Sequence, residues 1–127
     1  MKITEDQFEI FKQECAKWVD FFGLKNWQIH YLFKQIQNNR AEVTYDIVGG
    51  IATITLNKSW VEMDPSLVND RAIKKTAFHE ICELFLCRLG YMVNQRYGLI
   101  YPDVEEEIHK IIRTLENVVW EDQNNPY

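Results

Sequence analysis

The 127-residue chain has few residues of the kinds that mark specialised architectures. Its three cysteines, Cys15, Cys82 and Cys87, are an odd number in no framework spacing, which excludes a disulfide scaffold and points to a reducing compartment. Three prolines and five glycines are too few for a linker or a low-complexity tract. No apolar run is long enough to span a bilayer. The amino terminus, MKITEDQFEIFK, is charged and amphipathic and has no apolar signal core, so a cytosolic protein without a targeting segment is expected. Basic residues are also in the minority. The net charge of −5 disfavours non-specific nucleic-acid binding and docking on an anionic membrane.

The chain is rich in aromatics, 13% of residues including four tryptophans, which suits a filled core and argues against disorder. Its length fits one domain over residues 1–127. Residues 4–22 read as a first helix. Thr4 is its N-cap, Phe8, Phe11, Cys15, Trp18, Val19 and Phe22 recur at helical spacing, and Gly23 is its stop. Three strands follow over residues 27–33, 41–48 and 51–56, the last two joined as a hairpin through Gly49-Gly50. Asp64-Pro65 marks a short helical turn. Asn69 or Asp70 then caps a long helix ending near Leu89, with Gly90 just beyond it. A connection over residues 91–101 leads to a last helix from Pro102-Asp103 to about Trp120, with the tail 121–127 frayed. The predicted class is α+β, with a small, three-stranded, mainly antiparallel sheet covered by helices.

The chemistry concentrates in the long helix, in TAFHEICELFLCRLG. A helix so apolar is buried, and a His and two Glu within it are costly unless paired or bound to a metal. His79 and Glu83 are four residues apart and project from one face, with Glu80 one step round. Two ligands beside a general base is the arrangement of helical zinc sites, in which His is the usual second ligand. Against this stands a plain alternative, a solvated polar stripe with a weak His79–Glu83 pair. Downstream, Glu105, Glu106, Glu107 and His109 form a second set of ligand types. Acidic residues in a first helical turn also simply suit the helix dipole.

Taken together, ITLNKSW, TAFHEICELFL and EEEIHKIIRTLENVV resemble the minimal zincin-like metallopeptidases. The nearest likeness is to small gluzincin- or SprT-like domains of the sort found among uncharacterised bacteriophage proteins, and it covers residues 27–119. The resemblance implies a zincin-like fold with an amino-terminal helix, a small sheet, an active-site helix and a carboxy-terminal helix. It implies zinc, or another divalent metal, with a bound water and the first Glu as general base. Residue by residue, His79 matches the first ligand and Glu80 the base. Glu83 stands where the family has its second His. The third ligand comes from the last helix, with His109 the first choice and Glu105 and Glu106 the alternatives. With His109 the family's His-His-Glu becomes His-Glu-His, a set zinc accepts.

The resemblance also implies a peptide or protein substrate, and a host protein as partner in the host cytoplasm if the chain is phage-encoded. For hydrolysis, the third strand is the candidate for pairing with an extended peptide. Tyr91, Tyr97 and Tyr101 are candidate oxyanion donors, though loop packing explains them better. The alternative function is a catalytically inactive zincin-like metal-binding module, or a phage inhibitor or adaptor acting by protein–protein binding. Cys82 reads as a small buried hydrophobe, and His30 as structural or exposed.

Overall fold

The computed structural model describes residues 1–61, 64–97 and 101–124. Helix α1, Glu5–Phe21, begins at a capping box. Gln7 N donates to Thr4 Oγ1 (3.1 Å) and Thr4 N to Gln7 Oε1 (2.9 Å), so each residue satisfies an orphan donor of the other. It ends where Gly23 takes φ +70°, a left-handed conformation open to glycine at little steric cost. The buried face of α1 carries Phe11, Cys15 and Trp18. Glu14 is buried with them and accepts a hydrogen bond from Trp18 Nε1 (2.8 Å).

Strands β1 (Gln28–Lys34), β2 (Ala41–Asp46) and β3 (Ile51–Asn57) form one sheet in the order β1-β3-β2. The expected hairpin is present. β2 and β3 pair antiparallel, and the turn is closed by Gly50 N to Asp46 O (2.9 Å) with Gly50 at φ +68°. The mainly antiparallel sheet is corrected, because β1 pairs with β3 in parallel over seven residues. β3 carries buried Ala52, Ile54 and Leu56, and an apolar strand of this kind gains most from neighbours on both sides. The 35–40 segment therefore carries the chain from β1 to the far edge, and β3 folds back between the other two strands. A second expectation falls with it. A central strand has no free ladder edge, so β3 cannot pair with a peptide, and β2 is the edge strand beside α2.

Registry puts Ile29, Tyr31 and Phe33 level with Ala52, Ile54 and Leu56, and Val43 opposite Ile54, so one face of the sheet is apolar. Helices α1 and α2 are joined by an edge-on contact between Trp18 and Phe78 (ring centroids 4.6 Å apart) and by stacking of Phe22 on Phe85 (4.8 Å). Their buried side chains form one core with this face of the sheet.

Pro65–Leu67 is a single 3-10 turn, and Asp64 Oδ1 accepts from Ser66 N and Ser66 Oγ (both 2.9 Å). Asn69 is the cap of α2 (Asp70–Tyr97), its Oδ1 accepting from Ala72 N (2.8 Å). The predicted stop at Gly90 is also corrected, since α2 runs on to Tyr97. Gly90 is buried, and a Cβ there would stand 3.2 Å from Ile108 Cδ1. The glycine serves close approach of the next helix instead of ending its own. That helix, α3 (Tyr101–Leu115), continues through a π-helical stretch, Glu116–Trp120, into α4 (Glu121–Asn124). Glu121 in α4 holds Arg71 through both carboxylate oxygens (2.9 and 2.7 Å), and the helical backbone runs to Asn124. Residues 125–127 of the tail lie outside the described residues. Among the described residues no helix is long and apolar enough to cross a membrane.

Candidate metal centre

Helical spacing on α2 sets the first two site residues. His79 Nε2 lies 3.9 Å from Glu83 Oε1, one turn along the same face. The third residue depends on tertiary packing. Because Gly90 has no side chain, α3 lies close against α2 at Ile108, and the next residue, His109, reaches Glu83. His109 Nε2 is 3.1 Å from Glu83 Oε1. The two imidazole rings are roughly parallel, with centroids 5.9 Å apart. One ligand atom from each of His79, Glu83 and His109 lies within 4.8 Å of the others, and all three residues are half-buried.

The alternative ligands behave differently. Glu105 is exposed and borders a small pocket of about 200 Å³ with Glu83 and His109, but its carboxylate does not join the cluster. Glu106 and Glu107 are exposed and pair with Lys110 at 3.9 and 3.2 Å. Of the ligand candidates on α3, His109 is the one the structure brings into the group.

A fourth residue completes the cluster and was missed from sequence. Glu116 opens the π-helical stretch, and its Oε2 lies 3.2 Å from His79 Nδ1. A carboxylate oxygen accepts, so the contact is a hydrogen bond when Nδ1 carries the proton, and in the neutral ring that tautomer leaves the Nε2 lone pair on the Glu83 side. This is the usual outer partner of a metal-ligating His, which fixes tautomer and ring plane. Burial pulls the His79 pKa down, but the Glu116 hydrogen bond and the charges of Glu83 and Glu116 outweigh it, and the net shift is upward. The signal for Glu116 in sequence was its place seven residues after His109, two turns along the same face.

Glu80 is 4% exposed, and its Oε2 has no hydrogen-bond partner. Burial, then the adjacent Glu83 carboxylate, then the charge of Glu42 on β2 push its pKa well above the usual carboxylate range, which favours the protonated form. Glu80 lines a cleft of about 360 Å³ with His79, Glu116 and the 38–41 segment. The wall formed by that segment is fixed from below. Asn57 is buried, donates to the carbonyls of Ile36 (3.0 Å) and Asn39 (2.8 Å), and accepts from the amides of Ile36 (3.2 Å) and Ser59 (3.1 Å).

Neither protein-family models, nor curated proteins, nor solved structures match this chain.

The donor set fits a divalent metal on its chemistry. Two imidazoles and one carboxylate with an open position form a zinc-type set, also suited to iron(II). Bonds of about 2.0–2.2 Å to a tetrahedral zinc need ligand atoms closer together than 4.8 Å, so side-chain adjustment of an ångström or so closes the site. The remaining candidates lie elsewhere. Cys82 is buried with its thiol pushed up by burial, then by the charges of Glu116 and Glu83, and is not in the ligand group. His30 is exposed on β1. Tyr91 is exposed and lines a groove with Tyr45 and Val48, away from the cleft. The side chains of Tyr97 and Tyr101 lie outside the described residues.

Proposed function

We propose that this chain is a zincin-like, metal-dependent peptidase, with His79, Glu83 and His109 holding the metal and Glu80 acting as general base. The observation that carries this reading is the convergence of His79, Glu83 and His109, with His79 also lining a cleft together with the buried acid Glu80. A divalent metal bound there supplies polarisation of a substrate carbonyl and a lowered pKa for water. Glu80 is placed to take the proton of an attacking water and deliver it to the leaving amine. Burial makes it a strong base once ionised, because the apolar surroundings favour its protonated form. Glu116 holds His79 in the tautomer that leaves Nε2 free. The edge strand β2, beside α2, is the ladder open to an extended substrate.

The same site without hydrolysis, in a protein that acts by binding a host factor, is the alternative. It is favoured by Glu83 standing in the place of the second His, and an acidic chain suits a basic partner surface. The test combines metal analysis with Glu80→Gln. On the peptidase reading the purified protein holds one metal per chain, and Glu80→Gln keeps metal and fold but loses peptide hydrolysis. A metal-loaded wild type that cleaves no peptide, with a partner captured equally by Glu80→Gln, would establish the binding module. A protein with no metal affinity would end both.

A further inference from the structure

The cleft beside His79 is lined by residues of both charges, His79, Glu80 and Glu116 together with Lys75 and Arg40. Lys75 precedes His79 by four residues and so lies one turn away on the same face of α2. Arg40 closes the pinned segment before β2, with its guanidinium 4.6 Å over the ring of Trp60. The nearby cation Arg71 is held by Glu121, as described above. Lys75 has no carboxylate partner among the described residues, and its ammonium lies 5.9 Å from the ring of buried Trp120. A lysine that lines a cleft and has no carboxylate partner among the described residues is suited to an anionic group on a ligand.

We infer, resting on the peptidase reading, that the cleft takes the carboxy-terminal end of a peptide and that Lys75 binds its free α-carboxylate. The activity is then that of a carboxypeptidase. The spacing supports this. Residues four apart on a helix are separated by about 6 Å along the axis. In a peptide, equivalent atoms of successive residues are about 3.8 Å apart. A scissile carbonyl held beside His79 and Glu80 thus puts the carboxylate of the final residue within reach of a lysine one turn earlier. A longer segment on that side would carry a neutral amide past Lys75, leaving its ammonium without an anionic partner. The cleft volume, about 360 Å³, is small enough for a chain end.

The step balances without a co-reactant beyond water. Water oxygen bonds to the carbonyl carbon, the C–N bond breaks, and Glu80 carries the water proton to the amine nitrogen. The products are one free amino acid and a peptide with a new terminal carboxylate.

Full-length, zinc-loaded protein should be assayed by mass spectrometry on paired peptides that differ only in a free or amidated carboxy terminus. The expected result is loss of the last residue from the free acid, with kcat/KM at least about tenfold lower on the amide. Lys75→Met should raise KM for the free acid and remove most of that discrimination with zinc content unchanged, and Lys75→Arg should retain it. Cleavage at internal bonds, or equal turnover of acid and amide, would overturn the carboxylate anchor while leaving the peptidase reading intact. No turnover of either peptide by zinc-loaded protein would overturn both.

Discussion

Replacing Glu116 should weaken zinc binding although Glu116 is not a ligand. Its carboxylate lies 3.2 Å from His79 Nδ1, and its side chain is 13% exposed, so solvent and salt screen the contact little. A hydrogen bond to a charged group contributes about 1.5–3 kcal/mol and a neutral one about 0.5–1.5 kcal/mol. Glu116→Gln keeps an acceptor and loses the charge, which amounts to about 1–1.5 kcal/mol, or roughly tenfold in affinity. Glu116→Ala loses both, frees the ring to rotate, and should approach the upper end of the 10- to 100-fold range typical of such outer partners, roughly 2.7 kcal/mol. Competition with a chromogenic chelator measures the affinity. The cobalt(II)-substituted absorption spectrum reports separately whether the coordination geometry has relaxed. Melting curves of the metal-free variants check that the π-helical stretch still folds. An affinity within about twofold of wild type for Glu116→Ala, alongside complete metal loss in Glu83→Ala, would refute the assignment of Glu116 as the residue that orients His79.

Other expectations are more direct. His109→Ala should lose stoichiometric zinc, while Glu105→Ala and Glu106→Ala should keep it, as read by metal analysis after gel filtration. Glu80→Gln should cost at least about 100-fold in peptide hydrolysis. It should leave chelator-treated protein no less stable in denaturant, because glutamine mimics the neutral form that burial favours at this position. Asn57→Ala should destabilise by about 2–4 kcal/mol in denaturant unfolding, since four part-buried hydrogen bonds lose their partner together. Burial, with a smaller effect from Cys15, raises the Tyr31 phenol to about 12 from its usual value of 10. The stability it contributes is complete below pH 10 and is lost as pH rises through about 12. Tyr31→Phe should remove that part of the alkaline decline, measured as the difference between wild-type and variant stability from pH 9 to 12; parallel curves would count against it.

Local features were readable from local sequence. Thr4, Gly23, Asn69 and the Gly49-Gly50 turn act through residues within four positions of themselves, and each behaves as its chemistry predicts. The His79–Glu83 juxtaposition is equally local, being one helical turn. What was hidden is non-local or ambiguous by residue type. The parallel pairing of β1 with β3 depends on which strand most needs two neighbours, and alternation within a strand carries no record of that. Gly90 carries two meanings, a helix stop and a point of close helix approach, and only the position of Ile108 decides between them. The same packing decides the third ligand type. Glu105, Glu106 and His109 all belong to one helix, and the rotation of α3 against α2 turns His109 toward Glu83. Glu116 was overlooked because it lies beyond the acidic cluster that drew attention, at the start of a π-helical stretch that a 3.6-residue period does not anticipate.

The departure at position 83 has an electrostatic consequence that the ligand count alone does not convey. Three acidic residues, Glu80, Glu83 and Glu116, lie close to the imidazoles of His79 and His109. Two of them each face a ring, Glu116 with His79 and Glu83 with His109, and the pKa of the third, Glu80, is pushed up. After burial, Glu83 is the largest cause of that upward shift. Histidine at position 83 would hold a metal as a neutral donor and would leave Glu80 less strongly protonated. On the proposed site, glutamate there would make the residue that donates to the cation also the one that opposes ionisation of Glu80. A dipositive charge among His79, Glu83 and His109 would offset the Glu83 carboxylate and remove that opposition. A ligand that departs from the usual pattern is therefore compatible with a working base, since the charge that burdens Glu80 is the one a metal neutralises.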